Sequence, residues 1–130
     1  MADYINTLDM SVLVYDYDHN APNPEYLRRT HQPFFQRIRA KHPELPILMM
    51  TRPAAVYEGE ILERREIVRT TYEAALAAGD KHVWFIDGET FYGPSDRHLC
   101  SFDEVHPNDL GFYRMATVIR PVLEEILGTL

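Results

Sequence analysis

The chain has 130 residues, of which 45% are hydrophobic and 25% charged, and this composition is typical of one folded domain spanning residues 1–130. The net charge is -7 and the adjacent basic residues are only Arg28-Arg29 and Arg64-Arg65, for which we expect solvated helix faces, so the sequence argues against a nucleic-acid partner. No apolar run approaches the roughly 20 residues of a membrane span, which argues against a membrane partner. No signal peptide opens the chain and a single cysteine, Cys100, excludes an internal disulfide, so we expect a cytoplasmic protein.

The first half of the chain alternates between predicted helix and predicted strand. A short helix is expected over residues 2–8, before a β-branched and aromatic run at 11–15 that is typical of a buried strand. The loop 16–24 is rich in turn-forming residues. Helical spacing then indicates an amphipathic helix over 25–41, in which Pro33 is expected to introduce a kink or a break.

The second half repeats this alternation. Strands are predicted at 46–50 and 82–86, and a long helix at 58–78 lies between them, ended by Gly79-Asp80. A final helix is predicted over 110–127, with Phe112, Met115 and Ala116 among its core residues and Pro121 as a local distortion. The intervening loop 87–107 is much longer than usual in an α/β unit, and such loops are commonly functional.

Strands separated by helices of this length predict right-handed crossovers and a parallel sheet with helices on both faces. Ligands bind such sheets outside the carboxyl ends of the strands, at the loops 16–24, 51–57 and 87–107. Four side chains that could take part in chemistry lie in these loops. They are Asn20, Arg52, Asp103 and His106.

Asp103 and His106 carry the main catalytic hypothesis. An Asp three residues before a His can place its carboxylate on one imidazole nitrogen and leave the other facing a cleft, which is the base half of an acyl-transfer site. The alternative is that Asp103 and Asn108 only start a helix and that His106 lies in a surface loop. Arg52 could contact an anionic substrate or hold the Asp87 loop in place, and the second role is favoured.

The sequence gives no support for a metal or a nucleotide cofactor. Its histidines show no His-x-x-x-His or Glu-x-x-His spacing. Asp16, Asp18 and Asn20 alternate as in a calcium loop, but Ala21 and Leu27 stand where that loop needs Gly and Glu. We therefore expect no cofactor.

Three blocks of the sequence resemble the SGNH, or GDSL-like, hydrolases. The loop at 15–22 resembles the block that supplies an oxyanion-hole Asn, and 85–89 resembles the end of the fifth strand in an acylhydrolase subfamily. The most specific block is Asp103-Glu104-Val105-His106-Pro107-Asn108-Asp109-Leu110-Gly111. The resemblance implies a flavodoxin-like three-layer α/β/α fold, truncated on its N-terminal side to about three strands.

The resemblance also implies roles for individual residues. His106 would be the general base, Asp103 its orienting carboxylate, and Asn20 the donor to the oxyanion. Asn23 is the other candidate for the donor, and Asn20 could instead be a turn residue bonding its own backbone. The reaction implied is hydrolysis of a small-molecule ester, with an acylated carbohydrate as one candidate substrate.

The Gly-Asp-Ser block that carries the nucleophile in these hydrolases is absent from the sequence. Ser11 is expected inside a strand, Ser95 has no activating neighbour, and Ser101 shares a loop with the base. Cys100 has no feature of an activated thiol. The chain is thus expected to be the C-terminal portion or a shortened relative of such a hydrolase, and a non-catalytic binding remnant or complementation by a separate polypeptide are the alternatives.

The missing block also predicts an open edge on the sheet. The third strand of the family lies beside the first, so the strand at 11–15 would be uncovered and the flanking helices would lack partners. Exposed apolar edges favour pairing with other chains. We therefore expect either a homo-oligomer or an N-terminal segment that covers this edge.

Overall fold

A computed structural model describes residues 1–128 of the chain. Three strands form one parallel sheet in the order β1-β2-β3, with Leu13 opposite Ile47 and Ile47 opposite Val83. The elements in chain order are α1 (Ala2–Ile5), β1 (Leu13–Tyr15), α2 (Pro24–Lys41), β2 (Ile47–Met50), α3 (Glu60–Ala77), β3 (Val83–Ile86) and α4 (Asp109–Gly128). This architecture confirms the predicted α/β fold with a parallel sheet.

The middle strand, β2, divides the core into two halves, and all four of its residues are buried. Ile47 and Met49 belong to a cluster that includes the buried faces of α2 and α3. Leu48 and Met50 belong to a second cluster, which includes Ile126 of α4. Because successive side chains of a strand point to opposite faces, the helices form outer layers on the two sides of the sheet.

Several predicted boundaries shift because hydrogen bonding, and not composition, sets where an element begins. The sheet starts where the Leu13 N–H donates to the Pro46 carbonyl at 2.9 Å, so Ser11 precedes β1, and the expectation that it lies inside a strand is wrong. Asn23 starts α2, because its Oδ1 accepts from the Tyr26 N–H at 2.8 Å. Pro33 does not split α2 and Pro121 does not split α4; both helices run continuously through them.

The final helix, α4, is less buried than its apolar pattern predicted. Phe112 is 58% exposed and Ala116 is also exposed, whereas only Gly111 and Ile126 are fully buried. The sheet beneath has only three strands, so it covers one part of the apolar face of α4. The phenyl group of Phe112 therefore lies outside the core.

The outer edge of β1 is open within residues 1–128, and Val14 there is 39% exposed. A groove of about 950 Å³ runs along this edge between α1 and α2, and Asn20 is among its lining residues. In the described part of the chain, no helix has both the length and the apolar character needed to cross a bilayer.

Candidate active site

Asp103 and His106 form a hydrogen-bonded pair in the loop before α4. The Oδ2 atom of Asp103 lies 2.7 Å from Nδ1 of His106. The other carboxylate oxygen, Oδ1, accepts from the backbone N–H groups of His106 at 2.8 Å and Val105 at 3.0 Å. The chain turns back on the Asp103 carboxylate through a left-handed backbone at Glu104, where φ is 67°. One oxygen of Asp103 therefore holds the His106 ring, and the other holds the backbone that carries this ring.

The electrostatics of the pair fix its tautomer. The backbone hydrogen bond from His106, followed by the one from its ring, lowers the pKa of Asp103 to about 2. The carboxylate is therefore ionised at any ordinary pH, and it favours a proton on Nδ1. The Nε2 atom of His106 has no hydrogen-bond partner in the described residues, and the side chain is 72% exposed. The arrangement leaves Nε2 as a lone-pair acceptor facing solvent.

The loop that carries the pair is anchored on the start of α4. The side chain of Asn108 donates to the Leu99 carbonyl at 2.7 Å and accepts from the Gly111 N–H at 3.0 Å. A β-carbon on Gly111 would lie 2.1 Å from the Cys100 carbonyl oxygen, so only glycine permits this close approach. Asn108 is thus a helix-start residue, whereas Asp103 supports His106.

The short turn Asp18–Asn20, after β1, reaches the same edge of the sheet. The ring of His19 contacts that of His106, with centroids 6.4 Å apart and planes nearly perpendicular. Asn20 is the next residue of this turn; it is exposed and lines the groove along β1. Asn23, the alternative donor, uses its side-chain oxygen to start α2. Sequence analysis did not select His19, although its position beside Asn20 in a loop at the strand ends was a usable indication.

A buried ion pair supports this turn from below. The Arg64 guanidinium donates to the carbonyls of Asp18 at 2.8 Å and Ala21 at 3.1 Å, and lies 3.5 Å from Asp18 Oδ1. The other oxygen, Oδ2, accepts from the Arg52 N–H at 2.8 Å. Arg64 is only 4% exposed, so the predicted solvated face was wrong at this position. Its location three and four residues before the buried Ile67 and Val68 could have indicated this.

Arg52 is the second residue after β2, and its charge acts on His19. Burial, followed by the nearby Arg52 guanidinium, lowers the pKa of His19, so its ring is neutral near pH 7. Within residues 1–128 the Arg52 side chain forms no hydrogen bond or ion pair with Asp87, so the expectation that it holds this loop is wrong. Asp87 instead accepts from Arg69 at 2.8 Å and lies 3.6 Å from Arg65.

Neither a serine nor a metal cluster completes the site in residues 1–128. No serine hydroxyl in this range hydrogen-bonds to His106. Ser101 pairs with Pro107 in a β-bridge, and Ser11 precedes β1, on the side away from the strand ends. Within the same residues, no three His, Cys, Asp or Glu side chains group in a way that could hold a metal ion.

Comparison with known proteins decides the family. A sequence profile described as "GDSL-like Lipase/Acylhydrolase family" matches residues 1–124. The chain belongs to the GDSL-like lipase/acylhydrolase family. This assignment confirms the resemblance inferred from the loop blocks, and no curated protein matches the sequence significantly.

Solved structures share the fold of this GDSL-like chain. A GDSL-like lipase from Bacteroides ovatus ATCC 8483 is 26% identical, with a TM-score of 0.84 over 98% of this chain. The salicylyl-acyltransferase SsfX3 from a tetracycline biosynthetic pathway is 20% identical, with a TM-score of 0.75 over 96%. A family two carbohydrate esterase from Clostridium thermocellum, in complex with cellohexaose, is 16% identical, with a TM-score of 0.74 over 95%. The matches cover 39%, 40% and 38% of those chains, so this GDSL-like chain spans about two fifths of their length.

Proposed function

We propose that this GDSL-like chain supplies the general base of an ester hydrolase. The observation that carries the proposal is the Asp103–His106 pair, held at 2.7 Å with Nε2 facing solvent at the carboxyl ends of the strands. Membership of an acylhydrolase family supports the reaction class. In this proposal His106 is the general base, Asp103 orients it, and Asn20 donates to the oxyanion.

In the proposed reaction the unpaired Nε2 atom of His106 accepts and then returns the proton. A hydroxyl oxygen attacks the ester carbonyl carbon while its proton passes to Nε2 of His106, and Asp103 stabilises the resulting imidazolium. The side-chain amide of Asn20 donates to the oxyanion, a contribution of about 3 kcal/mol for one well-placed donor. Collapse of the intermediate expels the alcohol, which takes the proton from Nε2. Water then releases the acyl group by the same steps.

The attacking hydroxyl is proposed to come from a serine outside this sequence, on a segment that pairs with the open edge of β1. The groove along β1 is lined by Val14 and Tyr15 and reaches Asn20, so a strand placed there would end beside the oxyanion donor. Parallel strands end at a common edge of a sheet, which would bring the hydroxyl toward His106.

An acylated carbohydrate is the proposed substrate. The support is the similarity in fold to the carbohydrate esterase from Clostridium thermocellum, whose structure holds cellohexaose. The open position of the pair agrees with a bulky substrate, because the side chains of His106 and Asp103 are 72% and 52% exposed.

The second candidate is a non-catalytic module that binds a partner or a second copy. The open β1 edge with the exposed Val14 favours it, as does the absence of a Gly-Asp-Ser block from the sequence. In this case the Asp103–His106 pair would be a structural remnant of the family.

Hydrolysis of 4-nitrophenyl acetate separates the two candidates. Where that serine is absent, a water molecule activated by His106 can attack this reactive ester. The base role therefore predicts that His106→Ala lowers hydrolysis by the full chain to the background rate, whereas His98→Ala, which removes an exposed histidine of the same long loop, retains it. The control is needed because any surface imidazole cleaves this ester slowly. Equal rates in the two variants would exclude the base role and favour the binding module.

A further inference from the structure

Arg52 is a cation that the fold leaves without a partner. Within residues 1–128 its guanidinium forms no hydrogen bond, ion pair or ring contact, and its Nε is buried. Several arginines of the helices are different, because acidic side chains bind them. Examples are Arg28 with Glu63 at 2.7 Å, Arg39 with Asp80 at 2.8 Å and Arg69 with Asp87 at 2.8 Å.

The main chain of Arg52, in contrast, is held firmly. Its N–H donates to Asp18 Oδ2 at 2.8 Å, and its carbonyl accepts from the Tyr57 hydroxyl. The backbone of Gly88 packs so closely that a β-carbon there would lie 2.2 Å from the Arg52 carbonyl oxygen. The backbone from which the side chain extends is therefore held at the end of β2, although nothing in the described chain binds the charge of the side chain.

The Arg52 charge acts on groups in two loops of the candidate active site, the turn after β1 and the long loop after β3. It lowers the pKa of His19, whose ring contacts His106. Burial raises the pKa of the Tyr92 phenol. The positive charge of Arg52 lowers this pKa, and the negative charge of Asp103 raises it further. The geometry agrees, because the Arg52 N–H binds Asp18, the residue before His19, and the His19 ring contacts that of His106.

Three carboxylates at this edge already have partners. Asp18 faces Arg64 at 3.5 Å, Asp87 accepts from Arg69, and Asp103 accepts from His106. A half-buried guanidinium without a counter-charge is unfavourable unless a ligand provides one. A carboxylate fits best, because the guanidinium fork can donate two parallel hydrogen bonds to it.

We propose that Arg52 binds a carboxylate of the ester on which His106 acts, so that the site prefers acidic esters to neutral ones. This inference rests on the proposed function for its reaction and adds the substrate class. The carboxylate can belong to the acyl portion or to the alcohol portion of the ester. The two cases place the same charge on opposite sides of the reacting carbonyl.

Binding of small esters to the full chain tests the proposal without requiring turnover. Monomethyl succinate carries its carboxylate on the acyl side, and acetoxyacetate carries it on the alcohol side. Their neutral counterparts are dimethyl succinate and methyl acetoxyacetate. NMR titration of ¹⁵N-labelled protein follows the Arg52 Nε–H and the His106 ring signals, which report the two halves of the site.

Arg52→Gln removes the charge, and Arg29→Gln is the matched control. Arg29 is exposed on α2 and also lacks an acidic partner in the described residues, its guanidinium resting on the Tyr26 ring. We expect Arg52→Gln to raise the Kd of at least one acidic ester tenfold or more and Arg29→Gln to change it less than twofold. Neutral esters should bind the wild-type protein and both variants with equal affinity. Thermal unfolding of both variants confirms that the fold is intact.

The outcomes for binding and hydrolysis are separable. The anion site would be overturned if Arg52→Gln and Arg29→Gln weaken the binding of acidic esters equally. It would also be overturned if the acidic and neutral members of each pair bind with equal affinity. Arg52-dependent binding without any His106-dependent ester cleavage would support the anion site and count against the base role of His106. Cleavage with no dependence on Arg52 would support the hydrolase and overturn the anion site.

Discussion

The carboxylate of Asp103 accepts hydrogen bonds from both the backbone N–H and the ring of His106. Asp103→Asn would replace one carboxylate oxygen with an amide that can donate, so Nδ1 of His106 would no longer be required to carry the proton. We expect the ¹⁵N shifts of the His106 ring to move toward a mixture of tautomers. Any ester hydrolysis that depends on His106 should fall by about 10³-fold or more. Unchanged ring shifts would contradict the orienting role.

The buried guanidinium of Arg64 gives a second prediction. Arg64→Met would leave the Asp18 carboxylate buried without its cation and the Ala21 carbonyl without its donor. We expect the free energy of unfolding to fall by about 3–5 kcal/mol. Arg28→Met is the control, because Arg28 and Glu63 are 59% and 49% exposed and such pairs contribute about 1 kcal/mol or less. Similar losses in urea denaturation would refute a special role for Arg64.

A buried histidine makes the fold sensitive to acid. His31 is fully buried, its Nδ1 lies 2.8 Å from Thr71 Oγ1, and its Nε2 has no partner in residues 1–128. Burial lowers the pKa of His31 to about 4. The folded state thus favours the neutral ring. The contribution of this ring to the free energy of unfolding is complete above the unfolded-state pKa of about 6.5 and is lost as the pH falls toward 4.

Through His31, the free energy of unfolding should fall by about 3 kcal/mol between pH 6.5 and pH 4. Chemical denaturation at several pH values measures it, with His31→Gln expected to flatten the profile and the exposed His98→Gln expected to leave it unchanged. A wild-type profile that rises toward pH 4 would contradict the prediction, as would one that His31→Gln leaves as steep as before.

Glycine at position 111 is predicted to be required for the loop that holds the pair. In Gly111→Ala the added β-carbon would meet the Cys100 carbonyl oxygen at 2.1 Å, so the loop and α4 must separate. We expect a loss of about 1–3 kcal/mol in stability, together with broadened His106 signals. Gly128→Ala, where the new β-carbon would meet nothing within 4 Å, serves as the control and should be neutral or slightly stabilising.

The fold could be predicted from the sequence because the patterns that indicate it lie within short segments of the chain. Strand composition, helical spacing and long crossovers led to a parallel sheet, and the sheet in turn placed the loops of Asn20, Arg52 and His106 on one edge. These inferences require only the periodicity of each segment and a general rule of topology. The family profile over residues 1–124 and the similar folds agree with them.

The parts that sequence analysis missed depend on contacts between distant segments. Phe112 fits the apolar pattern of α4, but a helix pattern does not show how wide a sheet lies beneath it. Arg64 belongs to a basic pair that suggested solvent exposure, whereas 46 residues separate it from the Asp18 carbonyl that it binds. His19 acquires importance only through His106, on another loop. Such relationships exist only after folding.

The open edge of β1 has a consequence for hydrogen exchange. In a parallel pair, alternate residues of a strand direct both backbone groups toward the neighbour, so Leu13 and Tyr15 bond to β2 while the amide of Val14 points outward. The Val14 amide should therefore exchange with solvent far faster than its two neighbours. A strand from a second copy or from another segment would slow it, so this single N–H reports whether the edge is occupied.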